Sequence, residues 1–277
     1  MRALALAALA LFALPAEAQL AEGGTRVLGM GRAGAALEGV WGHTNPSGRA
    51  GLEDGRAAVQ ASQAFGLSEL QLGAAAVAVP TPAGVVALDA RTYGFSERRE
   101  TRVLLGLARP VRLSTTRRLS VGVRVGLESA STEGFGSETV ALLDAGVQGA
   151  VVNGLRVGLA ARNLLGLGRS DSTDLRHSAS TVPGLTVGLA YAPSDNALLL
   201  VDVDQDLDQY SEFGLSVRAG VEVRPVEVLA LRAGVSTEPA RFTAGAGFVA
   251  GSLRADLALE RHETLGLTPA FGVEVSF

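Results

Sequence analysis

The chain has 277 residues, a formal net charge of −4 and no cysteine. The missing cysteines exclude disulfides, thiolate metal ligands and a cysteine nucleophile, and the acidic balance gives no basic surface for nucleic acid. Hydrophobic residues make up 47% of the chain, yet no run of 18 apolar residues follows the N-terminus. The hydrophobicity is therefore spread along the chain rather than concentrated in helical membrane spans.

The N-terminus reads as an export signal. MR supplies a positive start, ALALAALALFALP an apolar region and AEA a cleavage site. We expect residues 1–18 to be a signal peptide cleaved after Ala18, which exports the mature chain from a bacterial cytoplasm. The alternative is a hydrophobic N-terminal helix that is retained.

Residues 19–54 form a small, glycine-rich segment that ends near an Asn-Pro turn and precedes the first strand. A phosphate-binding loop would need a flanking βαβ unit or a GxxxxGK[ST] motif, and the sequence shows neither. Weak helical potential lies at Ala33 to Val40. The segment's composition and position predict a hatch that enters a hollow structure.

From residue 55 onward the sequence alternates apolar and small or polar residues. LSVGVRVGL at 119–127 places Leu and Val on one face and Ser, Gly and Arg on the other, which is the pattern of a strand with two different faces. Most such segments have 9–12 residues, which suits tilted strands that cross a bilayer. The fourteen predicted strands are 55–65, 68–79, 83–93, 101–109, 119–129, 138–150, 154–164, 183–192, 196–206, 213–223, 226–235, 240–249, 251–260 and 268–277.

The second face decides between two all-β folds. A soluble β-sandwich would carry many charges there, whereas these positions are mostly Gly, Ala and Ser. The connections also alternate between long polar and short, with the fourth, PVRLSTTRRL, as the exception, and such asymmetry is typical of outer-membrane barrels. We predict a 14-stranded antiparallel transmembrane β-barrel over 55–277 with a short N-terminal hatch segment at 19–54. The soluble sandwich is the alternative.

The segment GMGRAGAAL…VWGHTNPSGRAGL resembles the N-terminal signature of FadL-type outer-membrane barrels, in particular the PorV/PorQ branch. Arg32 and Ser47 depart from the usual pattern. The matching positions are Gly29, Met30, Gly31, Gly34, Asn45, Pro46 and Gly48.

The resemblance implies a 14-stranded barrel with a hatch in the outer membrane, surrounded by its lipid, and two functions. The first is a non-enzymatic component that assists protein secretion or surface attachment, with secretion machinery or an exported protein as partner. The alternative is passive transport of hydrophobic small molecules. The short loops favour the first.

Charged residues on the non-apolar face are expected to point into the lumen, because a charge facing lipid is costly. They form ion pairs around the hatch or solvate a water-filled lumen. The candidates are Arg124, Arg156, Asp202, Asp204, Arg218, Glu222, Arg254, Asp256 and Glu274.

No catalytic, cofactor or metal site is predicted. The carboxylates of VDVDQDLDQYSE at 201–212 suggest calcium, but an EF-hand would need Gly and Glu where Leu207 and Phe213 stand. Ser170, Asp174 and His177 share one loop without a nucleophile elbow.

Overall fold

The structure, a computed structural model, describes residues 23–112, 114, 118–166, 182–207 and 214–277. The predicted signal peptide, residues 19–22 and the loop that carries Ser170, Asp174 and His177 lie outside these ranges. The strands are β1 Arg56–Gln63, β2 Gln71–Thr81, β3 Gly84–Gly94, β4 Arg98–Arg112, β5 Arg118–Thr132, β6 Gly136–Val152, β7 Leu155–Arg162, β8 Gly184–Ser194, β9 Ala197–Asp206, β10 Leu215–Val226, β11 Leu229–Ser236, β12 Arg241–Ala250, β13 Leu253–His262 and β14 Gly266–Ser276.

The fourteen strands form one closed antiparallel barrel in chain order. Each strand pairs with its neighbours in the sequence, and β1 pairs with β14, for example at Val59 and Val273, to close the wall. The predicted fold class and strand number are confirmed. Closure leaves no sheet edge running the length of the wall, as a barrel surrounded by lipid requires.

The two faces of the wall are the reverse of those in a soluble protein. On β5, Val123, Val125 and Leu127 are 50–55% exposed on the outside, while Arg124 between them is 2% exposed on the inside. A soluble sandwich would bury the valines and expose the arginine, so this arrangement excludes it. Among the described residues, no helix is long and apolar enough to cross a membrane.

The outward-facing residues of β4 show how tall the apolar band on the outside of the barrel is. Arg99 and Arg109 face outward and bracket the exposed Val103, Leu105 and Leu107. Ten residues of strand span about 33 Å, which becomes about 25 Å along the barrel axis at a tilt of about 40°. That height matches the apolar band of an outer-membrane barrel.

Two expectations about local structure are wrong. The long fourth connection is an artefact of predicted strands that are too short, because β4 and β5 pair from Arg98–Thr132 through to Arg112–Arg118. Only residues 113–117 connect them. Helix does not form at residues 33–40, and a single helical turn, α1, lies instead at Thr25–Leu28.

One side of the wall has a step. β6 pairs with β5 from Gly136 onward, but its pairing with β7 begins only at Ala145. Within the described part of the chain, residues 136–144 therefore have no strand partner on the β7 side. β7 is followed by a left-handed residue, Asn163 (φ 49°), whose amide donates to the Asp144 carboxylate over 2.8 Å.

Candidate functional site: the lumen and its hatch

The lumen holds residues 23–54, which we call the hatch segment. α1 is followed by two residues of positive φ, Gly31 and Arg32, which turn the chain sharply. The Asn-Pro turn starts a second helical turn, the 3-10 helix Pro46–Arg49. The Asn45 side chain accepts from the Ser47 amide over 3.0 Å, and Pro46 occupies the first helical position, a combination that favours this helix start.

The hatch segment follows the inside of the barrel around its circumference. Leu28 packs on β13 and β14, Gly31 lies on β10 to β12, and Asn45 reaches the carbonyl oxygens of β6 and β7. Val40 and Leu52 close the circuit by packing on alanines of β1 to β3. Only a segment inside the lumen can contact the wall in all these directions.

Glycines on the inner face make room for this segment. A Cβ atom at Gly122 would lie 2.5 Å from the Pro46 carbonyl carbon, and one at Gly158 would lie 2.6 Å from that of Ala35. Real Cβ atoms do not approach backbone this closely, so any side chain there would push the hatch segment away. The glycines facing the hatch segment this way are Gly122, Gly146, Gly158, Gly188, Gly220, Gly234 and Gly272.

Most of these glycines are directly opposite one another on neighbouring strands. The cross-strand pairs are Gly122–Gly146, Gly158–Gly188 and Gly220–Gly234. Together they form a smooth inner belt on which the hatch segment lies. Four of the six meet backbone atoms of the hatch segment, while Gly146 and Gly188 meet side-chain atoms of Asn45 and Ala35. Seven of the chain's 35 glycines thus face the hatch segment from the wall, a role that was not predicted from the sequence.

Arginines of the hatch segment bind carboxylates of the wall. Arg26 contacts both oxygens of Glu222 at 2.8 Å, and Arg32 contacts both oxygens of Glu260 at 2.7 Å. Arg49 pairs with Asp89 on the opposite side. Bidentate pairs of this kind fix orientation as well as position.

Two sets of hydrogen bonds hold one turn of the hatch backbone. Asp202 of the wall accepts hydrogen bonds from the amides of Gly34 and Ala35 over 2.7 and 2.9 Å. Asn45, which is itself in the hatch segment, donates to the Ala35 carbonyl over 2.6 Å and also reaches carbonyl oxygens of β6 and β7. Asn45 of the predicted motif therefore ties this turn to the wall, while Gly34 contributes its amide.

The remaining motif residues lie in close contacts. Met30 is fully buried and its carbonyl carbon would be 2.8 Å from a Cβ at Gly220. Gly29 lies on Gly245 of β12, and Gly48 lies on the Leu37 carbonyl within the hatch segment. The motif is thus a set of positions where the hatch backbone meets the wall or itself.

The predicted lumenal charges lie on the inner face and most form ion pairs. Arg124 pairs with Asp144 at 2.6 Å, and Arg218 pairs with Asp204 at 2.9 Å. Arg156 reaches Glu38 of the hatch segment at 2.5 Å.

The end of the lumen near the C-terminus holds the other predicted charges. Glu222 binds Arg232 at 2.7 Å besides Arg26, and the same Arg232 binds Asp256 at 2.7 Å. Arg254 lines a small cavity of about 60 Å³ there together with Asp256 and Glu274.

A second group of lumenal charges, which was not predicted from the sequence, lies on β3 to β5. Arg91 and Arg102 both donate to the same oxygen of Glu128, over 2.7 and 2.6 Å. The three residues lie side by side on neighbouring strands, because Arg91 is opposite Arg102 and Arg102 is opposite Glu128. Alternation already placed them on the inner face, so the signal was present in the sequence.

His43 of the hatch segment faces this cationic side. Burial, together with the nearby Arg124 and Arg102 guanidinium groups, holds the pKa of His43 well below its ordinary value. The imidazole is therefore neutral at pH 7.

Calcium binding by the 201–212 carboxylates finds no geometric basis in the described residues. Asp202 and Asp204 point inward and bind the hatch amides and arginines, while residues 208–213 lie outside the described ranges. Within those ranges, no group of three or more His, Asp or Glu side chains is arranged to hold a metal ion.

Comparison with known proteins places the fold. No protein-family model and no curated protein sequence matches the chain. Among solved structures, the CymD monoaromatic hydrocarbon channel matches with a TM-score of 0.67 and 12% identity over 94% of this chain and 98% of that one. A Pseudomonas aeruginosa FadL homologue matches with a TM-score of 0.62 and 11% identity over 93% and 98%. The Ralstonia pickettii toluene transporter TbuX matches with a TM-score of 0.60 and 13% identity over 93% and 98%.

These matches identify the class of fold. The chain has the fold of FadL-type channels, over nearly the full length of both chains. The structures named are channels and transporters rather than enzymes, in agreement with the expectation of a non-enzymatic protein. They do not distinguish the PorV/PorQ branch from the rest.

Proposed function

We propose that the protein is an outer-membrane barrel that passes hydrophobic small molecules across the bilayer. The fold carries this proposal, because it matches a monoaromatic hydrocarbon channel over 94% of the chain. The outer surface supports the location, since its apolar band is about as tall as the hydrocarbon core of an outer membrane. This was the alternative function in the sequence analysis, and the likeness favours it over the secretion role.

The hatch segment gives the conduit its selectivity. Because it contacts the wall around the circumference, hydrophilic solutes have no straight path through the lumen. A hydrophobic solute instead enters beside the hatch segment and leaves sideways into the bilayer.

Uptake by whole cells tests this proposal. The full chain is expressed in a Gram-negative host that lacks its own FadL-type channel, and entry of labelled toluene is compared with entry of a hydrophilic sugar. We expect faster toluene entry and unchanged sugar entry. A variant lacking residues 25–49, if its barrel still folds, should admit the sugar. Toluene entry equal to that of the empty vector would refute the transport proposal.

A role in protein secretion or surface attachment, expected from the PorV/PorQ resemblance, is the second candidate. One observation favours it. The hatch segment is held by buried bidentate pairs such as Arg32–Glu260, and a conduit that moved it would have to break them at a cost of several kcal/mol. If toluene does not enter, crosslinking the protein to exported proteins in a host with a type IX machinery tests this role.

A further inference from the structure

Positive charge is concentrated at one end of the β4–β5 hairpin. Between residues 101 and 127 the chain has six arginines and no Asp or Glu. Three of them lie at the end of the hairpin, are exposed, and are called here the arginine tip: Arg109, Arg112 and Arg118. This end of the barrel also has the short turns 82–83, 153–154 and 195–196, and short turns face the periplasm in outer-membrane barrels.

The charges of the arginine tip are not balanced within the chain. Arg112 is directly opposite Arg118, and like charges at directly opposite positions destabilise a strand pair. Within the described part of the chain, no carboxylate pairs with any of the three, whereas the lumenal Arg124 has Asp144. The neighbouring turns 82–83 and 153–154 carry no charge either. An anion from outside the chain would relieve this repulsion.

Arg109 lies where the apolar band ends. It faces outward two residues beyond the exposed Leu107 of the band. Two residues of tilted strand cover about 7 Å, which is about 5 Å along the barrel axis. The headgroups of one leaflet occupy about 5–7 Å beyond the hydrocarbon core. Arg109 is therefore at the level of the lipid phosphates.

Apolar side chains accompany Arg109 on the outer face of the hairpin. Val111, the next outward residue of β4, is 37% exposed. Val121, which is opposite Arg109, is half-buried. A soluble anion would leave these side chains in water, whereas the acyl chains of a phospholipid cover them. The pattern therefore favours a lipid as the source of the anion.

The other two arginines lie on the opposite face of a narrow ribbon. β3 pairs with β4 no further than Ala108, and β6 pairs with β5 no further than Leu119. Arg112 and Arg118 thus lie where the hairpin is only two strands wide and open along both edges. Their long side chains can reach back past these edges to the membrane surface.

We propose that the arginine tip binds the phosphate groups of anionic phospholipids in the periplasmic leaflet. Arginine binds phosphate through paired hydrogen bonds, and each basic residue at an anionic membrane surface strengthens binding about fivefold. The bound lipids would hold the β4–β5 side of the barrel at a fixed depth. This proposal depends on the membrane location and not on what passes through the lumen.

Native mass spectrometry of the purified full-length protein in neutral detergent counts bound lipids directly. The protein is titrated with dioleoyl phosphatidylglycerol and, separately, with dioleoyl phosphatidylcholine, which has the same acyl chains and no net charge. We expect phosphatidylglycerol to bind at least tenfold more tightly. The preference should shrink as the ammonium acetate concentration rises, because salt screens exposed charges. Equal binding of the two lipids would overturn the proposal.

A matched pair of triple variants locates the bound lipid. The test variant is Arg109→Gln, Arg112→Gln and Arg118→Gln. The control variant, with the same change of net charge at exposed positions of the opposite end of the barrel, is Arg98→Gln, Arg99→Gln and Arg261→Gln. The test variant should bind phosphatidylglycerol at least tenfold more weakly, and the control variant should bind it as the parent does. Gel migration of unboiled samples shows that each barrel is folded. Equal binding by the two variants would overturn the assignment to the arginine tip.

Two competitors identify what the arginine tip recognises. Glycerol phosphate offers a phosphate without acyl chains, and a poly-glutamate peptide stands in for an acidic protein. We expect neither to displace phosphatidylglycerol at concentrations similar to that of the lipid. Displacement by glycerol phosphate would reassign the arginine tip to soluble phosphates, and displacement by poly-glutamate would reassign it to an acidic protein; either result would overturn the lipid site. Toluene entry affects none of these outcomes, so the lipid site and the conduit are tested separately.

Discussion

The glycine belt makes Gly158→Ala a sensitive test of how the hatch segment is held. The new methyl group would lie 2.6 Å from the carbonyl carbon of Ala35 and 2.9 Å from the Cα of Ala36, both backbone atoms. Neither can move aside as a side chain can, so the hatch segment must shift away from β7. That shift pulls the Ala35 carbonyl from Asn45 and the Ala35 amide from Asp202.

The expected loss follows from these contacts. Overpacking a well-packed interior costs about 1–3 kcal/mol, and each weakened hydrogen bond adds about 1 kcal/mol, more where a carboxylate accepts it. We therefore expect Gly158→Ala to lower the free energy of unfolding by about 3 kcal/mol, which is about a hundredfold in the equilibrium constant. The effect of a single methyl group would be unusually large.

Urea unfolding in lipid vesicles, followed by Trp41 fluorescence, measures this loss. Trypsin cleavage at Arg26 and Arg32 measures displacement of the hatch segment even if the barrel stays intact. Gly73→Ala is the matched control, because its methyl group would meet only a side-chain carbon of Thr92 at 3.6 Å. If Gly158→Ala behaves like Gly73→Ala in both assays, the hatch segment does not lie on the belt as described.

Three further predictions concern the hatch contacts. Arg32→Met leaves the Glu260 carboxylate buried with one partner fewer and should lower the free energy of unfolding in urea by about 3 kcal/mol, near the lower end for a broken buried pair. The double variant Arg32→Met with Glu260→Met should regain at least half of that loss. If the losses of the two single variants simply add in the double variant, the two residues do not stabilise each other. Asn45→Ala removes the cap on the Ser47 amide and should cost about 1–2 kcal/mol in the same assay; no change would contradict the capping role. Because the pKa of His43 is lowered in the folded protein, only the unfolded chain takes up a proton on this imidazole as the pH falls. The free energy of unfolding should therefore decline as the pH falls below about 6.5. His43→Asn should make the free energy of unfolding less dependent on pH between pH 6.5 and 5, and an unchanged dependence would assign it to other groups.

The sequence predicted the wall well, because period-two alternation is a local signal. The repeats that start at Leu119 and Leu185 each fell within one or two residues of the observed β5 and β8 starts. The predicted fourth strand stopped at Arg109 because Pro110 and Arg112 were placed in a connection. Both residues lie on β4 beyond the apolar band, where alternation no longer has to be apolar.

The lumen was less predictable, because its contacts join residues far apart in the chain. Arg32 was noted only as a departure from the family pattern, yet it binds Glu260, 228 positions away. The alternation in the sequence places Glu260 on the inner face of the wall. It does not show how far along the barrel axis the hatch segment passes β13, so it could not predict which hatch residue meets Glu260. The inward-facing glycines were visible as a pattern in the sequence, but their role depends on where the hatch segment passes each strand.

The central claim is a closed barrel in the outer membrane with the hatch segment inside it. Heat-modifiability of the membrane-extracted protein tests it most directly, because a closed barrel stays compact in detergent until boiled. The full chain is expressed in a Gram-negative host, the membranes are separated and boiled and unboiled samples are compared by gel migration. We predict a faster-migrating unboiled band in the outer-membrane fraction, with trypsin unable to cleave at Arg26 and Arg32 until the sample is boiled. A soluble periplasmic protein without a migration shift would contradict the account.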